Sequence, residues 1–239
     1  MSAKQFSELL EFIKSFCIYV FSSVIYKLGP LFIPIISVNL LPKDDYSYMM
    51  ISIMTFNIMI ISFGFSFGVT ANTCASKISS NTNECFQDAW GFLNIKGRLF
   101  FLVLFISTLI GLISHFTLLK NSETSSQYVF FIILSGTSGA ISQYYLNALL
   151  GFGHVRLVSK LTSLAGGFLL VVIVSLLFID SSLEVKGWFF VALLSIVNLM
   201  VLFLSYFFSQ KKLLEIDIVY REVTIKMESF MLRKHLLLH

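Results

Sequence analysis

The charged residue best placed for chemistry is Lys27, which lies near the middle of the apolar run Phe12–Leu41. This run exceeds the about 20 helical residues that cross a bilayer. A lysine at the bilayer centre costs at least about 2.5–3.5 kcal/mol on insertion scales, so such charges usually face a cavity or a partner. Ser23, Pro30 and Pro34 share a helix face with Lys27, which favours a polar side that looks into the protein.

A second interpretation places Lys27 near the membrane surface. If the helix ends near Pro34, the long side chain of Lys27 could extend about 10 Å to the outer interface. If the helix continues to Leu41, both ends lie about 20 Å away and this extension fails. The sequence leaves the choice between a cavity and the interface open.

Asn57 is a carboxamide in the second apolar stretch. Gly64 and Gly68 follow it near the same side of the predicted helix, with the GxxxG spacing that lets helix backbones approach closely in lipid. We expect close helix packing here, and a cavity lined by Asn57 is the alternative.

Gln143 and Asn147 are two carboxamides on one face of the fourth apolar stretch. Small residues share this face within roughly 140° of arc, namely Ser135, Ser138, Gly139 and Ser142. The face predicts either packing with interhelical hydrogen bonds or one wall of a water-filled path. The two carboxamides are bulky for a simple packing seam.

The remaining polar residues argue against catalysis. All 13 acidic residues lie in predicted loops, tails or helix ends, so no apolar stretch holds an acid that could take up protons or sodium. His115 and His154 lie near predicted helix ends or loops, and Cys17, Cys74 and Cys85 form no CxxC pair. We therefore expect no catalytic residue, no metal site and no cofactor, and a protein that is not an enzyme.

The composition indicates an all-α polytopic membrane protein. Hydrophobic residues make up 56% of the chain and charged residues 13%, against about 25% charged in an average soluble domain. The sequence contains no basic stripe on a soluble domain, so it gives no indication of nucleic-acid binding. Hydropathy predicts a six-helix lobe over residues 1–210 and a cytoplasmic tail over 211–239, with spans at about 12–41, 46–70, 92–119, 127–150, 158–179 and 188–209.

The basic residues predict an orientation. With the N-terminus in the cytoplasm, 13 of the 17 basic residues fall on the inner side, and the outer loops keep Lys43, Lys120 and Lys186. Basic residues favour cytoplasmic loops. We therefore expect both termini in the cytoplasm.

Three segments resemble bacterial polysaccharide exporters of the Wzx type, within the multidrug/oligosaccharidyl-lipid/polysaccharide exporter superfamily. The run VIYKLGPLFIPIISVNLLPKDDYSYMM resembles their first helix and outer loop, where a helix with a charged residue leads to an acidic loop. The run ISFGFSFGVTANTCASK is similar to their second helix, which closes with a Phe-Gly-Phe-Ser element and an Ala-x-Lys. The run QYYLNALLGFGHVRLVSKLTSLAGG is similar to their tight connection between the fourth and fifth helices.

The resemblance implies one lobe, the N-terminal one, of a two-lobe transporter. It implies flipping of a polyprenyl-diphosphate-linked oligosaccharide across the bacterial inner membrane, for O-antigen or a related surface polysaccharide. Lys27 would then attract the diphosphate, while Asn57, Gln143 and Asn147 would bond sugar hydroxyls. Partners would be membrane lipids, a second six-helix lobe or glycan-assembly proteins.

The sequence departs from the family pattern in two places. Tyr48 and Met49 replace the usual aromatic-glycine pair of the outer loop, and six spans stand where 12 to 14 are expected from the resemblance. A truncated or split product is expected before a native homodimer. A multidrug or cation antiporter lobe of the same superfamily and a non-transporting structural subunit are the alternative functions.

Overall fold

The structure, a computed structural model, describes residues 3–79, 96–118, 124–176, 178 and 185–236. Within these ranges, the side chains of 3–5, 8–9, 12, 65–66, 96–99 and 216–236 are not described. Cys85, Lys120 and the side chains of the motif residues Phe65 and Ser66 therefore lie outside the described part. The described chain forms six helices: α1 (Ala3–Leu40), α2 (Lys43–Ser79), α3 (Lys96–Thr117), α4 (Ser125–Gly151), α5 (Val155–Leu176) and α6 (Gly187–Leu236).

Each of these helices is long and apolar enough to cross a membrane. The apolar portions run over Ile13–Leu40, Lys43–Ser79, Phe100–Thr117, Ser125–Gly151, Val155–Leu176 and Gly187–Glu215. In a helix the backbone N–H and C=O groups bond to one another, which is necessary in a bilayer because lipid tails offer no hydrogen-bonding partners. The predicted class, an all-α polytopic membrane protein, is confirmed. In α6 the helix continues without a break from the sixth span through most of the predicted tail.

The central helix is α4. It packs against α2, α6 and α3, and 67% of the residues in its apolar window are buried, against 17% in α1. The lysine in the run Phe12–Leu41, which needs shelter from lipid, predicts that the other helices pack around α1, and this prediction is wrong. Burial follows small side chains, because in lipid helices associate through close van der Waals packing. The middle of α4 is rich in serine, glycine and alanine, whereas α1 presents bulky apolar side chains to the surroundings.

The small residues of α4 receive side chains from two neighbouring helices. Met59 of α2 lies against Gly136, at a distance that leaves no room for a side chain on the glycine. On the other side, Asn198 of α6 donates from Nδ2 to Oγ of Ser135 over 2.8 Å. Ser195 of α6 donates from Oγ to the carbonyl of Phe131 over 3.1 Å. The predicted packing face with interhelical hydrogen bonds is thus confirmed for the N-terminal half of α4.

The helix α1 attaches mainly to α5. At Gly166 of α5, an added Cβ would lie 2.7 Å from the Cα of Tyr26, so the two backbones are in direct contact. Gly29 of α1 faces Leu169 in the same way, with 2.7 Å from an added Cβ to Cδ2. Pro30 has no N–H to donate to the carbonyl of Tyr26, four residues earlier, yet α1 remains helical through it. The glycines therefore set the distance between α1 and α5.

We expect Gly166→Ala to destabilise the protein by about 1–3 kcal/mol, because the new methyl group meets backbone atoms that cannot move aside. Gly167→Ala is the matched control, since nothing lies within 4 Å of an added Cβ there. The control should be neutral or more stable by up to about 1 kcal/mol, because alanine favours helix. Thermal unfolding in detergent compares the two, and equal stabilities would contradict the tight seam.

The ends of α2 offer a test of orientation. Ser47 and Ser79 are both exposed, one near each end of this helix. In a chain whose Cys17, Cys74 and Cys85 are replaced by serine, Ser47→Cys should react with an impermeant maleimide added outside spheroplasts. Ser79→Cys should react only after permeabilisation. The reverse pattern would contradict the orientation expected from the basic residues.

Candidate functional site

A cavity lies between α1, α4 and α5 in the middle of the bundle. Its volume is about 180 Å³. It is lined by residues at helical spacing on each of the three helices, namely Tyr19, Ser23, Tyr26, Lys27, Gln143, Leu146, Asn147, Leu150, Val158 and Thr162. The wall from α1 supplies an ammonium group and three hydroxyls, and the wall from α4 supplies two carboxamides.

This cavity brings together Lys27, Gln143 and Asn147, three of the four predicted site residues. The side chain of Lys27 is exposed, while the two carboxamides are half-buried. No carboxylate among the described residues makes a salt bridge with Lys27. Among the described residues that line the cavity, Lys27 carries the only formal charge. An ammonium beside amides and hydroxyls is a donor-rich surface, suited to an anion that also carries hydroxyl groups.

The position of Lys27 along α1 decides between the two interpretations of this residue. Because α1 runs on to Leu40, Lys27 is about 20 Å from both Leu40 and Ile13, the ends of the apolar portion. A lysine side chain cannot cover that distance. The structure therefore favours the cavity over extension to the interface.

Gln143 and Asn147 serve both roles that the sequence left open. Gly68 of α2 packs against Asn147, where an added Cβ would lie 2.7 Å from Nδ2. Gly64 packs against Gln143, where an added Cβ would lie 3.1 Å from the Cβ of Gln143. The GxxxG spacing is thus a packing seam, as predicted. The Nδ2 of Asn147 donates to the carbonyl of Gln143 over 2.8 Å, which holds the side chain along α4. The same two side chains line the cavity on their other side.

Asn57, the fourth predicted residue, does not line this cavity. Its side chain is exposed on α2, two turns or about 10 Å along the axis from Gly64. At its level, the neighbouring residues Phe56 and Met59 make the buried face of α2. The expectation that Asn57 joins the other three at one site is not met, because α2 turns the apolar side of this segment toward the protein.

Sequence reasoning missed Tyr26 and Asn198. The hydroxyl of Tyr26 donates to Oδ1 of Asn198 over 3.4 Å, and Asn198 in turn donates to Ser135. This chain of hydrogen bonds joins the cavity wall on α1 to α6 and α4. Asn198 is a lone carboxamide in an apolar stretch, the same signal that identified Asn57, and it is 7% exposed.

A second, larger cavity of about 660 Å³ lies at the end of the bundle, beside the turn from α4 to α5. Gly153 makes this turn with a φ of 79°, which favours glycine, and the predicted tight connection is confirmed. Arg156 forms a salt bridge with Glu11 of α1 over 2.8 Å. Partial burial lowers the pKa of His154, and the nearby charge of Lys212 lowers it further, against an opposing effect of Glu215.

Comparison with known proteins gives no relative. No protein-family model, no curated protein and no solved structure matches this chain.

Proposed function

We propose that this protein forms one lobe of a transporter that flips a polyprenyl-diphosphate-linked oligosaccharide across the bacterial inner membrane, for O-antigen or a related surface polysaccharide. The observation that carries the proposal is the mid-bundle cavity, in which Lys27 meets Gln143 and Asn147. The head group of such a lipid is anionic and rich in hydroxyls, and it cannot cross hydrocarbon without a polar path.

The charge of the cavity supports an anionic cargo. The side chain of Lys27 lies near the centre of the span without a described carboxylate partner. An isolated ammonium at this depth is costly, and a diphosphate would offset the cost by supplying the opposite charge. A coupling site for a cation would instead place a carboxylate there, so the cavity favours a flippase over the cation antiporter.

The neighbouring groups suit a sugar. Gln143 and Asn147 carry carboxamides, which both donate and accept hydrogen bonds, as sugar hydroxyls do. Tyr19 and Tyr26 add two aromatic rings with hydroxyl groups to the α1 wall. Aromatic rings offer apolar faces and a polar tip within one side chain. The proposed division of roles is diphosphate at Lys27 and sugar at the carboxamides and tyrosines.

The exposure of Lys27 supports a second wall. In this single lobe Lys27 is open to the surroundings, and lipid is an unfavourable neighbour for a charge at mid-span. A second six-helix lobe, or a second copy of this chain, would enclose the lysine in a hydrated interior. Transporters built from two parallel repeats place their substrate sites at such an interface.

Substitution of Lys27 tests the proposal. Lys27→Glu should abolish export and Lys27→Arg should retain part of it, because only the second keeps a cation. Lys27→Leu should insert at least as well as the wild type, yet lower export about tenfold or more, the value of a lost hydrogen bond to a charged group. Export of labelled glycan by intact cells measures the activity, and membrane fractionation measures insertion.

The control for this series is Lys43→Gln, which removes an exposed lysine at the start of α2, outside the cavity. It should leave export unchanged. Full export by Lys27→Leu would contradict a role of Lys27 in anion binding.

The requirement for a second lobe has its own test. A strain without its flippase receives this chain alone, or this chain joined to a homologous C-terminal lobe. Export should return only with the second lobe, because one lobe supplies one wall of the path. Robust export by the chain alone would favour a homodimer, which cross-linking in the membrane would then detect.

A further inference from the structure

The larger cavity beside the α4–α5 turn is a wide-open chamber at the end of the bundle, whose mostly apolar lining surface also carries polar and charged side chains. Its volume of about 660 Å³ falls within the about 300–1,000 Å³ typical of ligand pockets. The α1 side is lined by Glu11 and Ser15, and the α5 side by residues that include Arg156 and Lys160. The chamber is therefore large enough for a phosphate-bearing head group and has charged side chains on two of its sides.

The charge of the chamber is positive. Arg156 and Lys160 face one carboxylate, that of Glu11, across the cavity. Burial and the nearby charge of Lys212 lower the pKa of His154 against an opposing effect of Glu215, so the imidazole is less readily protonated than a free one. A guanidinium presents paired N–H donors that match phosphate oxygens, and a nearby ammonium adds a second positive charge.

The carboxylate of Glu11 behaves as an internal anion that a ligand can displace. It lies 2.8 Å from the guanidinium of Arg156, and the two side chains are 68% and 60% exposed. Exposed ion pairs contribute only about 0–1 kcal/mol to stability. A phosphate group carries more charge than a carboxylate and can take its place on Arg156 at little cost.

A line of residues on α1 connects this chamber with the mid-bundle cavity. Glu11, Ser15, Tyr19, Ser23 and Lys27 follow one another at intervals of four, so they form one slowly turning stripe on the helix. The first two line the chamber beside the α4–α5 turn, and the last three line the mid-bundle cavity. From Glu11 to Lys27 the stripe covers about 24 Å.

We infer that the chamber beside the α4–α5 turn is a second binding site for a phosphate-bearing group, held by Arg156 and Lys160. The carboxylate of Glu11 competes with this group for Arg156. The group is a diphosphate or phosphate ester, either on a lipid or free in solution. The link between this site and Lys27 along α1 rests on the proposed function, in which the chamber receives the head group before or after the mid-bundle cavity does. The site itself stands on its own residues.

The test is equilibrium dialysis of ³²P-labelled inorganic pyrophosphate against the full chain in dodecyl maltoside, in phosphate-free buffer. Measurements use the Lys27→Gln chain, which lacks the cation of the mid-bundle cavity, so that bound pyrophosphate is assigned to the chamber beside the α4–α5 turn. In this background Arg156→Gln should weaken binding about tenfold or more, the value of a hydrogen bond between charged groups. Glu11→Gln should tighten it about two- to fivefold, since the competing ion pair is gone.

The matched control is Lys43→Gln in the same background, which removes an equal charge outside both cavities and should leave binding unchanged. Displacement by geranylgeranyl diphosphate, with geranylgeraniol as the uncharged reference, identifies the source of the group. Displacement at far lower concentration than by inorganic pyrophosphate assigns a lipid head group, and equal potency assigns a free phosphate compound.

Two results would overturn the inference: no bound pyrophosphate in the Lys27→Gln chain, or equal affinities with and without Arg156. Neither result bears on export by the Lys27 variants. Conversely, full export by Lys27→Leu would contradict the role of Lys27 in export and leave the binding site at Arg156 standing.

Discussion

The close approach of α2 and α6 to the small residues of α4 is the contact on which the rest of the structure depends. Lipid is as apolar as leucine, so helices in a membrane gain little from hiding apolar surface and associate through packing and hydrogen bonds. Gly136 admits Met59, and Ser135 accepts a hydrogen bond from Asn198, at places where larger side chains would hold the helices apart. With α4 fixed in this way, the face that carries Gln143 is directed at α1.

The cavity is completed by a second, more separate contact. The helix α1 touches α5 closely and α2 only slightly, so the position of Lys27 relative to α4 is set through α5. Two features control it. Gly166 fixes how near α1 comes to α5, and the turn at Gly153 fixes where α5 leaves α4. The hydrogen bond from Tyr26 to Asn198 then ties the cavity wall back to α6.

Charge is distributed unevenly along the contacts of α1. A compensated cation, Arg156 paired with Glu11, stands at the end of the bundle, where water screens both partners. Lys27, which forms no salt bridge with a carboxylate in the described part of the chain, stands at mid-span, where a charge is most expensive and an opposite charge is therefore most stabilising. Between them the stripe on α1 offers hydroxyl groups at Ser15, Tyr19 and Ser23.

The sequence by itself determined the helical membrane class, the approximate positions of the membrane-spanning helices, the turn at Gly153 and the depth of Lys27 in its apolar helix, because hydropathy, glycine and a charge in an apolar run are local signals. Tertiary structure alone decided that α4 and not α1 is central, that Asn57 stays apart from Gln143, and that Asn198 bonds to Tyr26 of the cavity wall. The physical reason is that lipid and protein interior are equally apolar. An apolar sequence therefore reports that a helix lies in the membrane, while its neighbours are selected by shape and by hydrogen bonds between distant residues.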